Sequence, residues 1–329
     1  YQFKVTAEFT HNGATVKAEL PQRFNTEEEA QAFLASLSDA SFTVSDVTTS
    51  PATRNPGAPF TTSTLQQEAN SKLGFGSRAT MSSAQKLYQE GKITYMRTDS
   101  TVLSGQAIAA AADYIKSAFG EEYSQVRQFK TKSSSAQEAH EAIRPTNMAA
   151  EKGSSNEYDQ KLYDLIRRRT LASQMAPAKL EKTVATITIQ PGNANGPLED
   201  AFEAKGEVVI FEGFLKVYGG GKKDPDLLPA MASGDILGLI AAGARQTFSR
   251  PPARFTEGSL VKKLEELGIG RPSTYATIIN TVQARGYAEK GEGEGVERDV
   301  ITLGITPGAS VEREIVKEKT GSDKGKLVP

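Results

Sequence analysis

A change of hydrophobic period that later reverses is the feature that most constrains what this chain can fold into. Residues 2–20 alternate apolar and polar as two short strands around His11-Asn12-Gly13, a hairpin turn signal, and residues 42–48 alternate again. From 61 to 176 the spacing turns helical, and from 180 to 249 the period of two returns. The simplest architecture for that order is one β domain interrupted by one α domain, a helical lobe carried at the tip of a strand-built arm. The expected fold is therefore multi-domain α and β. Its divisions are 1–60 for the first half of the β domain, 61–178 for the helical insertion, 179–250 for the second β half and 251–329 for a mainly helical part.

Punctuation within the chain sharpens this. Thr26 and Glu29 form a capping box for a helix to about Leu37. The proline-rich stretch 51–59 reads as a stiff linker. Helices are expected from Thr62 or Ser63 to Leu73, from Met81 to Glu90, from Ser104 to Gly120, over 135–143 before Pro145, and over 156–175 before Pro177. Strands are expected near 180–190, 200–211, 213–218 and 235–248, with loops over 191–197 and 219–226. After Pro251-Pro252, Leu260, Leu264 and Leu267 mark a helix stopped by Gly268, GIGRPST restarts a helix to about Arg285, and 296–303 reads as a β wing. Helix–turn–helix–wing is a DNA-docking layout, and also a common way simply to pack helices.

Composition excludes several classes. No run of about 18 apolar residues is present, so no membrane span is expected. Cysteine is absent, which rules out disulfides and thiolate metal sites in this chain and fits a cytoplasmic protein. A net charge of −1 lacks the bulk signature of a DNA binder. Cations nevertheless concentrate locally: Lys161, Arg167, Arg168, Arg169 and Lys179 share one stretch with a single anion, Asp164. Both ends read as interior points of a longer chain, since Tyr1 opens directly in a strand pattern and GKLVP lacks a cap or polar tail.

Three clusters carry candidate chemistry. In Ile93-Thr94-Tyr95-Met96-Arg97-Thr98-Asp99-Ser100, extended backbone puts Tyr95 and Arg97 on one side. A phenol beside a guanidinium suits attack on a phosphodiester, because the cation favours phenolate and binds phosphate oxygens. Read alone, the segment is more simply a strand end with one exposed tyrosine. In SAQEAHEAIRP (135–145), His140 and Arg144 lie four apart, hence on one helical face able to hold a phosphate or move a proton; the bland alternative pairs Glu141 with Arg144. In Arg271-Pro272-Ser273-Thr274, proline suits a first helical turn, and the N–H groups of Ser273 and Thr274 with Arg271 suit an anion. A GKS/GKT loop, an HExxH motif and a carboxylate triplet are all missing, so neither ATP nor a metal ion is expected to bind this chain.

Taken together, NPGAPFTTSTLQQEA (55–69), ITYMRTDS (93–100), SAQEAHEAIRPT (135–146), LYDLIRRRTLASQMAPA (162–178) and PPARFTEGSLVKKLEELGIGRPSTYATIINTVQARGY (251–287) resemble the type IA DNA topoisomerases of bacteria, in the family's order. The resemblance implies an arch built from the interrupted β domain, with the tyrosine on the helical insertion and a winged-helix-like part of the base after residue 251. It implies that Tyr95 attacks one DNA strand to form a 5′-phosphotyrosyl link without ATP, so that another strand can pass and negative supercoils relax. Arg97 matches the arginine beside the nucleophile and His140 a phosphate-contacting histidine, with Arg144 nearby. Arg271 matches an arginine that helps hold single-stranded DNA, and Arg168 and Arg169 are weaker matches for DNA contact. The family completes its site with a toprim domain that supplies a lysine, a glutamate and the carboxylates for Mg²⁺. Those motifs are not in this sequence, so by itself the chain is expected not to relax supercoiled DNA. A monomer that prefers single strands is expected. Two other readings remain: a non-catalytic DNA-binding module using 61–90 and 258–303, or the topoisomerase part of a reverse gyrase.

Overall fold

A computed structural model describes residues 1–130, 140–219 and 228–329. Its strands are β1 (Gln2–His11), β2 (Ala14–Phe24), β3 (Ser41–Arg54), β4 (Ala178–Gln190), β5 (Ala201–Phe211), β6 (Ile236–Thr247), β7 (Glu289–Lys290), β8 (Val296–Ile305), β9 (Glu312–Thr320) and β10 (Leu327–Val328). Its α-helices are α1 (Glu27–Ser36), α2 (Thr62–Leu73), α3 (Ser77–Gln89), α4 (Gly105–Phe119), α5 (Glu157–Ser173), α6 (Glu257–Glu266) and α7 (Tyr275–Ala284).

The two β-patterned stretches build one sheet. Strand order runs β1-β2-β5-β4-β3-β6, and β6 pairs back with β1, so six antiparallel strands close into a ring. Two seams are thin: β2 meets β5 only at Glu19 and Glu203, and β3 meets β6 only at Phe42–Thr43. Asn12 and Gly13 both take positive φ, 48° and 81°, as the two-residue turn of a twisted hairpin requires. The inward residues of this ring make one core. Phe9 lies 5.0 Å from Phe42 and 5.6 Å from Phe202, and α1, held by the Thr26–Glu29 capping box, adds Phe33 and Leu34. Residues from before and after the helical insertion therefore share one apolar interior.

β3 and β4 stay paired from Ser41–Gln190 to Arg54–Ala178, so the chain enters and leaves the insertion side by side. The insertion has two cores. Phe60, Leu65, Leu87, Ile93, Met96 and Leu162 belong to the first; Leu103, Ala111, Ile115, Leu171 and Phe214 belong to the second. α5 serves both, which fixes them to each other. α6 and α7 share a small cluster, Val261, Tyr275 and Ile279, and dock on α2 and α3.

Several expectations are corrected. The stiff linker begins at residue 55: β3 runs through Pro51, which is tolerated because this part of β3 pairs with β4 alone and needs no second ladder. Residues 213–218 are not a strand. Gly213–Lys216 form a 3₁₀ turn, with Gly213 at φ 52° and packed so closely on the carbonyls of Ala176 and Pro177 that a Cβ has no room. The expected wing over 296–303 joins the large sheet instead, because β8 pairs with β6 and buries Leu303 and Ile305 in the ring's core. The expected helix over 135–143 lies mostly outside the described residues, and 140–143 are not helical. The loop over 219–226 likewise lies almost wholly outside the described residues.

Candidate active site

Tyr95 sits on a short irregular segment between α3 and α4, with its side chain 46% exposed. Burial alternates around it: Met96, Thr98 and Ser100 point inward, while Tyr95, Arg97 and Asp99 lie on the open side. The expectation that Tyr95 and Arg97 share a side therefore holds. The Tyr95 ring meets Tyr88, from the last turn of α3, at 5.3 Å and 67°.

The backbone on either side of Tyr95 is held by threonine hydroxyls. Thr94 Oγ1 donates to the Ala142 carbonyl at 2.7 Å and accepts from Arg144 N at 2.9 Å, while Thr94 N donates to the Arg144 carbonyl at 2.9 Å. Thr62 Oγ1, fully buried in the first turn of α2, donates to the Met96 carbonyl at 2.7 Å and accepts from Thr98 N at 2.8 Å. Neither residue stands out from the sequence as functional. The cap was expected at Thr62 or Ser63; it is Thr61, which pairs reciprocally with Thr64 and leaves Thr62 available for this tertiary contact.

The stretch after residue 140 corrects the picture of a histidine and an arginine on one helical face. Phe60 bridges Ile143 and Ile93 bridges Pro145, so this chain runs as an extended neighbour of the tyrosine segment. Pro145 disfavours the helical region for Arg144, which explains the outcome. His140 is exposed. Arg144 is largely buried and forks onto Glu141: Nε donates to Oε2 at 2.7 Å and Nη2 to Oε1 at 3.1 Å, while Nη1 reaches the Pro145 carbonyl at 3.1 Å. Glu141 Oε2 also accepts from Ser104 N, at the start of α4. The Arg144 fork holds the Glu141 carboxyl below the ordinary carboxylate value, against burial that pushes it up. The Glu141–Arg144 pairing weighed as the bland alternative is thus what forms, and it anchors Arg144 beside the site.

The third cluster reaches the first. Arg97 Nη1 donates to the Ser273 carbonyl at 3.0 Å, so the turn before α7 lies against the tyrosine segment. Pro272 precedes the helix instead of opening it. Thr274 turns its hydroxyl back to accept from Arg271 N at 2.8 Å and does not cap α7 with its side chain. Arg271 is exposed, and its Nη1 donates to the Gly270 carbonyl at 2.7 Å.

Other polar bonds tie α6 and α7 to the tyrosine-bearing helices. Ser77 N, at the start of α3, donates to Glu257 Oε2 at 2.7 Å; Gly76 offers α3 no side-chain cap, so this carboxylate from α6 supplies it. Gly258 N donates to Asn70 Oδ1 at 3.1 Å, and Ser63 Oγ to Glu265 Oε2 at 2.6 Å. Burial pushes the Glu257 carboxyl up, but bonds from Gln283 and Ser77 and the charge of Lys290 outweigh it and hold the group below the ordinary carboxylate value. A spacing-based reading misses Glu257 and Glu265, because both look like solvated charges of an amphipathic helix.

The cationic run on α5 divides. Arg168 is exposed and borders a shallow cavity with Lys72, Lys161 and Tyr218. Arg169 turns inward: Nε donates to the Ala58 carbonyl at 2.6 Å, Nη1 donates to Tyr218 Oη at 3.2 Å, and the guanidinium lies 4.9 Å from the Phe60 ring. Arg167 is buried too, over the Tyr114 ring. Among the described residues, no group of three or more Asp, Glu or His side chains is placed to hold a metal ion.

This chain matches the family model for DNA topoisomerase over residues 1–303. The chain belongs to the bacterial DNA topoisomerase I family, of type IA. It is 47% identical to DNA topoisomerase 1 of Escherichia coli over 274 residues, covering 81% of this chain and 31% of that protein. It is 45% identical to DNA topoisomerase 1 of Zymomonas mobilis, across 79% of this chain and 22% of that one. The solved structure of full-length topoisomerase I from Thermotoga maritima superposes with a TM-score of 0.72 at 35% identity, over 88% of this chain and 48% of that chain. The chain thus spans less than a third of these two curated relatives' length, and the fold of a type IA enzyme accounts for its interrupted β ring.

Proposed function

We propose that this chain is the tyrosine-bearing part of a type IA DNA topoisomerase in which Tyr95 cleaves and reseals one DNA strand. The observation that carries this reading is the setting of Tyr95. Its ring is exposed, its backbone is held on both sides, and Arg97 and the Arg271–Thr274 turn lie against the same segment. In the cleavage step the phenol oxygen of Tyr95 attacks phosphorus and loses its proton. The 3′-oxygen leaves and takes up a proton, and the DNA remains joined to the protein as a 5′-phosphotyrosyl ester. Because the ester keeps the energy of the broken bond, attack by the 3′-hydroxyl reverses the step without ATP.

The roles of the other groups follow. Arg97 serves phosphate oxygens around the reacting phosphorus, for which a permanently charged planar donor is suited. His140, exposed at the near end of the Glu141–Arg144 stretch, contacts phosphate or moves a proton. Arg168 and Arg271, both exposed, hold the strand through its backbone, which favours single strands laid along a cationic track. Arg144, tied to Glu141, acts by shaping the site. In the whole enzyme, Mg²⁺ held by residues outside this chain would supply electrophilic help to the leaving oxygen. No helix among the described residues is long and apolar enough to cross a membrane. That the whole protein works on DNA as a monomer in the cytoplasm belongs to the same proposal. The test is Tyr95→Phe in the full-length protein: relaxation and covalent trapping of a single-stranded oligonucleotide are expected to vanish while the oligonucleotide still binds. Trapping that survives the substitution contradicts the assignment.

A further inference from the structure

We propose that the hydroxyls of Thr62 and Thr94 are positioning groups for the nucleophile, a pair of clamps that set the height and direction at which Tyr95 is presented. This rests on the reading of Tyr95 given above.

The position of Tyr95 poses a conflict. A phenol that attacks phosphorus must lie open to DNA, and Tyr95 does, at 46% exposure. Open side chains on irregular backbone wander, and misplacing a reacting atom by about 1 Å costs on the order of a hundredfold in rate. The tyrosine segment belongs to no helix or strand, so no regular ladder fixes it. Its ring contact with Tyr88 does not fix it either, since Tyr88 is itself 43% exposed.

Two hydroxyls provide what a ladder would. Ahead of Tyr95, Thr94 Oγ1 joins the Ala142 carbonyl to Arg144 N, closing on the chain that Glu141 and Arg144 anchor to the start of α4. Behind it, Thr62 Oγ1 joins the Met96 carbonyl to Thr98 N from a fully buried place in α2, where Thr62 N also donates to the Thr98 carbonyl at 2.9 Å. Each hydroxyl both donates to a carbonyl and accepts from a backbone N–H, so each makes full use of a group that offers both. Thr62 is tied to the first helical core and Thr94 to the 140–145 stretch, so the two clamps pull on Tyr95 from different parts of the domain. Replacing either hydroxyl by a methyl group would leave a backbone N–H and a carbonyl without that partner and free the segment to shift.

Thr62→Val and Thr94→Val, made in the full-length protein, keep the side-chain shape and remove the bond. Thr62→Ser and Thr94→Ser keep the hydroxyl. The measurement is the single-turnover rate of covalent adduct formation on a saturating single-stranded oligonucleotide, together with the affinity for that oligonucleotide. The valine variants are expected to form adduct roughly ten- to a hundredfold more slowly. Their affinity should stay within about twofold, and the serine variants should stay near wild type, because the bonds that bind DNA are untouched. Thr94→Ala, at a half-buried position outside any helix or strand, carries the test if Thr62→Val does not fold. Valine variants as fast as wild type overturn the proposal. So does equal slowing by serine and valine, which would assign the effect to shape, and so does a loss of affinity in step with the rate, which would assign it to general damage. Absence of any adduct from the wild-type protein would instead sink the reading of Tyr95.

Discussion

The guanidinium of Arg97, two residues beyond Tyr95, donates a 3.0 Å hydrogen bond to the carbonyl oxygen of Ser273. That bond crosses from the helical insertion to the turn that precedes α7, and it aligns the segment bearing the tyrosine with the turn bearing Arg271. A charged donor of this kind is worth about 1.5–3 kcal/mol when both partners are held. Being half-buried, Arg97 should contribute at the low end.

Arg97→Ala should therefore loosen the 271–275 turn without unfolding the chain. Thr274 N and Tyr275 N both donate to the Arg271 carbonyl within that turn. Amide hydrogen exchange at these two positions is expected to rise roughly five- to tenfold, about 1–1.4 kcal/mol of local opening, while exchange in β3 and β4 stays unchanged. Unchanged protection at both amides would mean the Arg97–Ser273 bond does not hold the turn.

Glu257 offers a different handle on the same docking. Its carboxylate caps α3 from another helix, so Glu257→Ala removes a cap and leaves Ser77 N unpartnered in a buried place. The expected cost in denaturant unfolding is about 1–3 kcal/mol. The pH dependence follows from the direction of its shift. Its carboxyl is held below the ordinary value of 4.5 in the folded chain. Its contribution is thus fully present above that ordinary value and lost as pH falls through the lower folded value. The stability gap between wild type and Glu257→Gln should be constant from pH 7 to about 5 and shrink below about 4. A gap that widens on acidification would contradict the assigned sign.

Arg168 and Arg169 are neighbours in sequence with opposite expected phenotypes. Arg169 bonds the Ala58 carbonyl and Tyr218 and lies over the Phe60 ring, so Arg169→Ala should destabilise the chain by about 2–4 kcal/mol. Arg168 is exposed, so Arg168→Ala should leave stability within about 0.5 kcal/mol. It should instead weaken single-stranded DNA binding and reduce the salt dependence of log K by about 0.7. Denaturation curves and salt titrations of the two variants separate these outcomes, and an unchanged salt slope for Arg168→Ala would remove it from the DNA track.

The interrupted β domain was legible because period two and helical spacing differ over long stretches, and because the hairpin at Asn12-Gly13 and the Thr26 capping box are local signals. The alternation of Met96, Thr98 and Ser100 against Tyr95 and Arg97 was legible for the same reason. What could not be read depends on contacts far apart in sequence. Residues 296–303 look like a wing until β6 is available to pair with the end of β8, from Thr302 to Ile305. Arg167, Arg168 and Arg169 look alike until α5 is packed, and only then do two of them turn inward. Thr62 and Thr94 carry no spacing signal, because their partners lie 34 to 50 residues away in the chain.

Tyr95 is the group proposed to join DNA. The most direct measurement is to trap the full-length protein on a single-stranded oligonucleotide, digest the adduct and locate the modified peptide by mass spectrometry. One modified residue is expected, Tyr95, carrying the 5′-phosphate end of the cleaved strand. A nucleotide attached to neighbouring Tyr88 or to any other residue, or a 3′-phosphate linkage, would contradict it.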